Sequence, residues 1–268
     1  MCQDCGCTVN SDGAHVHGAE GHVHLPAASG ASVEVLQAIL RSNDEEAAHN
    51  RAHFAERGVF AVNLMSAPGS GKTSLLEATI DALAGKYGIA VIEGDLETEN
   101  DARRIRAKGV PAVQITTGQT CHLDAHMVHG ALHRLGLAGI DLLFIENVGN
   151  LVCPAAFDLG QTANVALLSV TEGDDKPSKY PVMFRAAELV VLSKADLLDV
   201  LDVLDDFSPE AATRNVRMLA NPAPVLALSA RRQQTLAPWL GWLEAGVAKA
   251  RAARGPAAHV HNHHHAAA

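Results

Sequence analysis

Three of the five cysteines in this 268-residue chain, Cys2, Cys5 and Cys7, stand within six positions of one another. Thiolates this closely spaced suit a soft or borderline metal ion. The α-amine beside Cys2 offers a fourth ligand position. An inert tail is the alternative, and a disulfide is a weaker one because a cross-link needs a folded segment to stabilise. The spacing therefore predicts a metal site at the three cysteines.

A second group of metal-binding residue types consists of Cys121, His122 and Cys153. Both segments follow predicted strands, so their loops are expected to leave the same edge of a sheet. Two thiolates and one imidazole leave a tetrahedral site one ligand short, and a two-fold dimer would supply the fourth ligand. A buried apolar role for Cys153 and a helix-capping role around Cys121 remain open. We expect the histidines of the following helix to face solvent: His126, His129 and His133.

A phosphate-binding loop is predicted at residues 66–73, Ser-Ala-Pro-Gly-Ser-Gly-Lys-Thr, between an apolar run and a helix-length segment. It matches the Walker A pattern, except that Ser66 stands at the first glycine position. Lys72 would reach the β- and γ-phosphates and Thr73 would hold Mg²⁺. The complete Gly-Lys-Thr ending argues against an ordinary glycine-rich turn. The predicted phosphate contacts are Gly69, Ser70, Gly71, Lys72, Thr73 and Ser74.

Two acidic residues at predicted strand ends suit the metal side of the same site. Asp95 follows residues 89–94, and Glu146 follows residues 141–145. Carboxylates at the carboxyl ends of neighbouring parallel strands would converge on Mg²⁺. Asp95 could equally cap a helix. The Glu-Asn-Val-Gly segment resembles the Asp-x-x-Gly switch of GTPases, with Gly149 placed to contact the γ-phosphate, so the predicted catalytic set is Lys72, Asp95 and Glu146.

Residues 193–196, Ser-Lys-Ala-Asp, match the guanine-reading Asn-Lys-x-Asp motif with serine in place of asparagine. Asp196 would accept hydrogen bonds from the guanine N1–H and 2-amino groups, and the stem of Lys194 would cover the ring. Adenine lacks those donors. Ser229 and Ala230 resemble the loop that closes over guanine O6. A tetrapeptide alone is weak, but its place after the Walker A loop predicts GTP and GDP as ligands.

The elements that must position these residues alternate along the chain. Continuous apolar runs predict strands buried on both faces, as in a mostly parallel sheet. We therefore predict an α/β fold: a three-layer P-loop NTPase with a mostly parallel sheet and flexible His-rich termini. Predicted strands lie near 59–65, 89–94, 113–116, 141–146, 165–171, 188–192 and 224–228, and predicted helices at 32–57, as one helix or two, 72–84, 122–135, 198–205, 209–219 and 235–250. The predicted units are 1–30, a Cys/His-rich metal-binding tail; 31–57, a helical segment; 58–250, the GTPase domain; and 251–268, a His-rich tail of native or added origin.

Composition limits the partners. Hydrophobic residues make up 48%, and 30 Asp and Glu outnumber 21 Lys and Arg, which gives a net charge of −9. This balance argues against nucleic acid or an anionic membrane as the partner. With no apolar run of spanning length, no export signal and few cysteines, the expected location is the cytoplasm.

From about Val33 to Val247 the chain resembles the HypB-type nickel-incorporation GTPases of hydrogenase maturation. The most specific stretches are 117–126, 144–154 and 171–181, together with the Cys2-x-x-Cys5-Gly-Cys7 cluster. The resemblance implies a fold of the SIMIBI class of P-loop GTPases, and GTP hydrolysis coupled to nickel delivery into the hydrogenase large-subunit precursor. It also implies a GTP-promoted homodimer, a HypA-type partner, a Ni/Zn site at Cys121, His122 and Cys153, and a separate nickel site at the N-terminal cysteines.

Two other functions remain open. A urease-type nickel GTPase shares the loop and the cargo, but that family carries Cys-Pro-His in one loop, whereas here Cys121 and Cys153 are separate. A nickel-storage protein with a regulatory GTPase domain would account for the histidine-rich ends. A plain P-loop kinase leaves Asp196 and Gly149 without a role.

Overall fold

The computed structural model describes residues 15–17, 22–24, 30–95, 99–118, 120–199 and 207–254, with side chains from residue 37 onward. Cys2, Cys5 and Cys7 lie outside the described residues, as do the histidines of 259–265. The described part of 1–29 is a pair of antiparallel strands, β1 (His15–His17) and β2 (His22–His24). Sequence reasoning had no strand there, because three-residue strands leave no periodic signal.

Seven parallel strands form the central sheet, in the order β5-β4-β6-β3-β7-β8-β9. The strands β3, β4, β6, β7 and β8 are almost completely buried, as their continuous apolar runs require. This confirms the predicted α/β fold. The bounds are β3 Phe60–Ser66, β4 Ile89–Asp95, β5 Ala112–Thr116, β6 Leu142–Glu146, β7 Ala163–Ser169, β8 Leu189–Ser193 and β9 Val225–Ala227.

Helices cover both faces of the sheet. Alternate residues of β3 point to opposite faces: Val62 packs with α2, α3 and α8, and Ala61 packs with α1 and α4. A third cluster packs α6 and α7 against β7 and β8. The bounds are α1 Gly30–Arg57, α2 Lys72–Leu83, α3 Asn100–Ala107, α4 Ala125–Leu135, α5 Lys176–Lys179, α6 Pro181–Arg185, α7 Pro209–Met218 and α8 Ala237–Ala253.

The helical predictions agree with the structure in part. The segment 32–57 is one continuous helix, α1, which is the first of the two arrangements that the sequence left open. Helix α3 has no counterpart among the predictions, because its charged sequence buries only Ala102 and Ile105. In place of a helix over 198–205, a 3-10 helix spans Ala195–Asp199, and 200–206 lie outside the described residues.

Among the described residues, we find no helix that is both long enough and apolar enough to cross a membrane.

Candidate functional site

The phosphate loop runs from the end of β3 into the first turn of α2. Gly69 and Gly71 adopt φ angles of 74° and 93°, in the left-handed region that favours glycine. The Lys72 side chain is 7% exposed, and its Nζ donates to Ser66 Oγ at 2.9 Å. Ser66, the departure from the Walker A pattern, therefore holds the lysine at the phosphate position. This loop has the backbone turn and the cation that a nucleotide phosphate needs.

Two buried carboxylates face each other beside this loop. Glu93 of β4 is paired in register with Glu146 of β6, and they are 2% and 6% exposed. Thr73 Oγ1 donates to Glu146 Oε1 at 3.0 Å. Burial, and then the neighbouring Glu146 carboxylate, raise the pKa of Glu93 well above its usual range; burial also raises the pKa of Glu146, although Lys72 opposes this.

The arrangement suits a divalent cation. Among the described residues, Glu93 Oε1 and Glu146 Oε2 are buried without a hydrogen-bond partner. Carboxylate oxygens beside a threonine hydroxyl are ligands that Mg²⁺ prefers, and an ion there would offset the cost of burying two negative charges. The orphaned oxygens therefore fit a metal on the phosphate side of the site.

Asp95, the predicted partner of Glu146, lies at the end of β4. Together with Glu93 and Glu146 it lines a cavity of about 440 Å³ beside the phosphate loop. The residue directly across from Glu146 is Glu93, two positions earlier on the same strand face. The sequence did not predict Glu93, because strand ends were aligned without knowing the register, nor Asp101 of the same cavity, because it lies on the unpredicted helix α3. A buried acidic residue inside an apolar strand was the available signal.

The predicted switch touches the phosphate loop. A Cβ atom placed on Gly149 would lie 2.9 Å from Pro68 Cα, closer than side chains and backbone normally approach. Gly149 therefore packs directly against the phosphate loop, and its contact with a γ-phosphate stays a prediction. Because the φ angle of Gly149 is not in the left-handed region, the close approach of Pro68 is what requires a glycine at this position.

A second cavity, of about 290 Å³, adjoins the phosphate loop and gathers the predicted base-reading residues: Lys194, Asp196, Ser229 and Ala230. Ser193, in the usual asparagine position, donates from Oγ to the Ser70 backbone oxygen at 2.7 Å. The serine thus ties the base-reading loop to the phosphate loop. Lys194 has φ 57°, and its Cε approaches the position of a Gly71 Cβ at 3.9 Å.

Cys121, His122 and Cys153 come together, with one ligand atom from each within 4.8 Å of the others. His122 is 7% exposed and stacks on Phe157 at a ring distance of 3.9 Å. Burial lowers the pKa of His122, against the effect of Asp124, so the imidazole is neutral and can bind a metal at neutral pH. The Asn150 side chain accepts from the Cys153 N–H at 3.3 Å and fixes the loop.

Asn147 joins this Cys/His cluster to the nucleotide side. It is fully buried, and its Oδ1 accepts from the N–H of Leu123 at 3.2 Å, next to His122. Its Nδ2 donates to Asn63 Oδ1 of β3 at 3.2 Å. Glu146 precedes Asn147 directly, so one buried residue connects the loop of His122 with the carboxylate that bonds Thr73.

The chain also matches known proteins. A family model described as "CobW/HypB/UreG, nucleotide-binding domain" matches residues 60–222. The hydrogenase maturation factor HypB of Azotobacter vinelandii is 53% identical over 235 residues, which is 87% of this chain and 76% of that protein. The chain belongs to the HypB family.

Other HypB proteins are similar in sequence and in structure. The hydrogenase/urease maturation factor HypB of Helicobacter pylori is 42% identical over 222 residues, covering 81% of this chain and 89% of that protein. The crystal structure of the H. pylori HypB in complex with nickel has a TM-score of 0.72 at 42% identity, over 78% of this chain and 96% of that one. As a HypB protein with a P-loop, this chain is a GTPase. The roles of the individual site residues stay predictions.

Proposed function

We propose that this chain hydrolyses GTP to control a nickel site formed by Cys121, His122 and Cys153, and that it delivers nickel during maturation of nickel–iron hydrogenase. The observation that carries the proposal is the segment 146–153. It begins with the Glu146 carboxylate bonded to Thr73 and ends with the Cys153 thiol in the Cys/His cluster. A conformational change at the phosphate-binding residues would therefore be transmitted to Cys153 through a segment of eight residues.

GTP binding uses the residues of the two adjoining cavities. The loop amides and Lys72 would stabilise negative charge on the β- and γ-phosphates while water attacks in line. Thr73, Glu93 and Glu146 would hold Mg²⁺, which supplies further charge neutralisation when it is bound. Asp95 lines the same cavity and stays a candidate for this set. The Asp196 carboxylate would select guanine by accepting from its two donor groups.

The Cys/His cluster would take nickel as its cargo, with Zn²⁺ as the competing ion. Two thiolates and one neutral imidazole suit both ions and leave an open ligand position. The solved HypB of H. pylori is a complex with nickel, which supports this choice. We propose that a GTP-bound homodimer completes the site, because a second copy places another set of thiolates at a two-fold axis. A HypA-type protein and the hydrogenase large-subunit precursor are the proposed partners, and the cytoplasm is the proposed location.

Urease maturation is a second candidate, favoured by the name of the H. pylori relative, hydrogenase/urease maturation factor. Both candidates use the same GTPase and nickel chemistry. They differ in the protein that receives the metal, so transfer assays with hydrogenase and urease precursors separate them.

The test is to follow GTP hydrolysis and oligomeric state together. Wild-type protein with GTP and Mg²⁺ should hydrolyse GTP slowly, and sedimentation should show a dimer with a non-hydrolysable GTP analogue and a monomer with GDP. Lys72→Ala should lose hydrolysis, whereas the matched surface change Lys249→Ala on α8 should not. Equal hydrolysis by Lys72→Ala and wild type would refute the proposed site, and identical sedimentation with both nucleotides would refute the GTP-dependent dimer.

A further inference from the structure

Helices α1 and α4 bring together histidines that belong to neither predicted metal site. His49 and His53 stand one turn apart on α1, and His129 and His133 stand one turn apart on α4. One ring nitrogen each of His49, His53 and His129 lies within 4.8 Å of the others. The Nε2 atoms of His49 and His53 are 3.2 Å apart, and those of His129 and His133 are 2.8 Å apart. Sequence reasoning expected the α4 histidines to face solvent, but His129 is partly buried against α1.

The hydrogen-bond partners of His129 fix which of its nitrogens is free. The Nδ2 atom of buried Asn50 donates to the Ala125 and Leu159 carbonyls at 2.9 and 3.2 Å, so its Oδ1 must act as an acceptor. That oxygen lies 3.0 Å from His129 Nδ1, and Glu46 Oε1 lies 3.1 Å from the same atom. Two acceptors require a hydrogen on Nδ1. The Nε2 lone pair therefore points toward the other histidines.

This pattern is the one that metal-binding histidines use, in which the second ring nitrogen donates to a carboxylate or carbonyl and holds the ring in place. Tetrahedral zinc with Zn–N bonds of about 2.0–2.1 Å separates its ligand nitrogens by roughly 3.3 Å. The 3.2 Å separation on α1 is close to that value, and the 2.8 Å separation on α4 needs only a small opening. His49, His53 and His129 are thus spaced for a shared ion, and His133 lies beside His129 as the fourth candidate ligand.

The charges around the cluster are mixed. Glu46 contributes a carboxylate that also lies 3.3 Å from His49 Nδ1. Arg57 opposes a cation, since its Nη1 lies 3.3 Å from His53 Nδ1. The Arg57 side chain is exposed and can turn away when His53 Nδ1 carries the hydrogen.

We propose that His49, His53, His129 and His133 bind one divalent first-row transition metal ion across α1 and α4. Imidazole donors without thiolates suit Zn²⁺, Ni²⁺ and Cu²⁺. The site is separate from the Cys121 cluster in donor type, and it would fasten α1 to the helix that begins just after His122. It stands independently of the proposed function, because neither GTP nor the thiolates take part.

The test uses the full chain with all five cysteines replaced by serine, so that thiolates do not compete. His49→Gln/His129→Gln is compared with the control His126→Gln, an exposed α4 histidine that contacts Glu46 but lies outside the cluster. All variants keep the same histidines at both chain ends, so their contribution cancels. We measure zinc stoichiometry and affinity by competition with a chromophoric chelator, and the rise in Tm on adding Zn²⁺.

The parent and His126→Gln should bind one zinc more than the double variant, or bind that zinc at least tenfold more tightly, and should show the larger rise in Tm. Each variant's Tm without metal serves as its own reference, and the exposed single change His49→Gln gives the same comparison if the double variant is unstable. Equal zinc binding and equal Tm shifts in the double variant and the control would overturn the proposal. Anomalous scattering from wild-type crystals soaked in zinc should show a peak between the four imidazoles, and density at Cys121 without one there would also overturn it.

Discussion

Replacing Gly149 with alanine tests whether the switch and the phosphate loop must touch for nucleotide to bind. The added Cβ would lie 2.9 Å from Pro68 Cα and 3.0 Å from Pro68 N. Carbon atoms in contact are normally about 3.5–4.0 Å apart, so one of the two segments must move by roughly 0.6–1.1 Å. Overpacking of this kind costs about 1–3 kcal/mol.

That cost corresponds to roughly 5- to 150-fold in a binding equilibrium. We expect Gly149→Ala to weaken binding of a fluorescent GTP analogue within that range, and to weaken GDP less, because only GTP carries the γ-phosphate that the residue 149 N–H would contact. Gly241→Ala in α8 is the matched control, since its Cβ would meet nothing within 4 Å. Affinity for the GTP analogue within twofold of wild type, at unchanged stability, would refute this reasoning.

Three further predictions address buried polar contacts. Asn147→Ala removes the acceptor for the Leu123 N–H and should lower the free energy of unfolding by about 2–4 kcal/mol in urea denaturation. Without metal, the Tm of the wild type should fall as the pH rises above about 4.5 and through the pKa of Glu93 in the folded state, because folding raises that pKa. Glu93→Gln should show a flatter dependence of Tm on pH. Ser193→Ala loses the bond to Ser70 and should weaken GDP binding by roughly 2- to 12-fold, and Ser193→Asn should restore it.

Each of these has a distinct contradicting result. If urea denatures Asn147→Ala and wild type alike, the hydrogen bonds that Asn147 makes to Leu123 and Asn63 contribute nothing to stability. An identical decline of Tm with pH in Glu93→Gln and wild type, measured in a chelator, would assign the titration to another group. GDP affinity unaffected by Ser193→Ala would remove the proposed tie between the two loops.

The sequence was sufficient to predict those features whose pattern lies within a short stretch of the chain. The loop ending in Lys72 and Thr73 follows a strand and opens a helix, and both features are visible within a few residues of the motif. The buried strands were predictable in the same way, because continuous apolar runs need cover on both faces. The segment that follows β6 and leads to Cys153 was therefore placed at the correct edge of the sheet.

Register and helix docking were not accessible from the sequence. Glu93 faces Glu146 because β4 extends two residues beyond β6 at that edge, which no local pattern reveals. His129 meets His49 because buried Asn43 and Asn50 of α1 bond the backbone of α4, through the Ala125 N–H and the Ala125 carbonyl. Those contacts join residues more than 70 positions apart, so they form only when tertiary packing brings α1 and α4 together.

Nucleotide control of the Cys121, His122 and Cys153 site is tested most directly by measuring its nickel affinity in two nucleotide states. The full chain with Cys2, Cys5 and Cys7 replaced by serine keeps only the inner thiolates, and is titrated with Ni²⁺ in the presence of Mg²⁺ and either GDP or a non-hydrolysable GTP analogue. Coupling of about 1–3 kcal/mol between the two sites predicts affinities that differ by roughly 5- to 150-fold, and Cys153→Ala should abolish the difference. Equal nickel affinity in both states would contradict the account and would make the cluster a structural site.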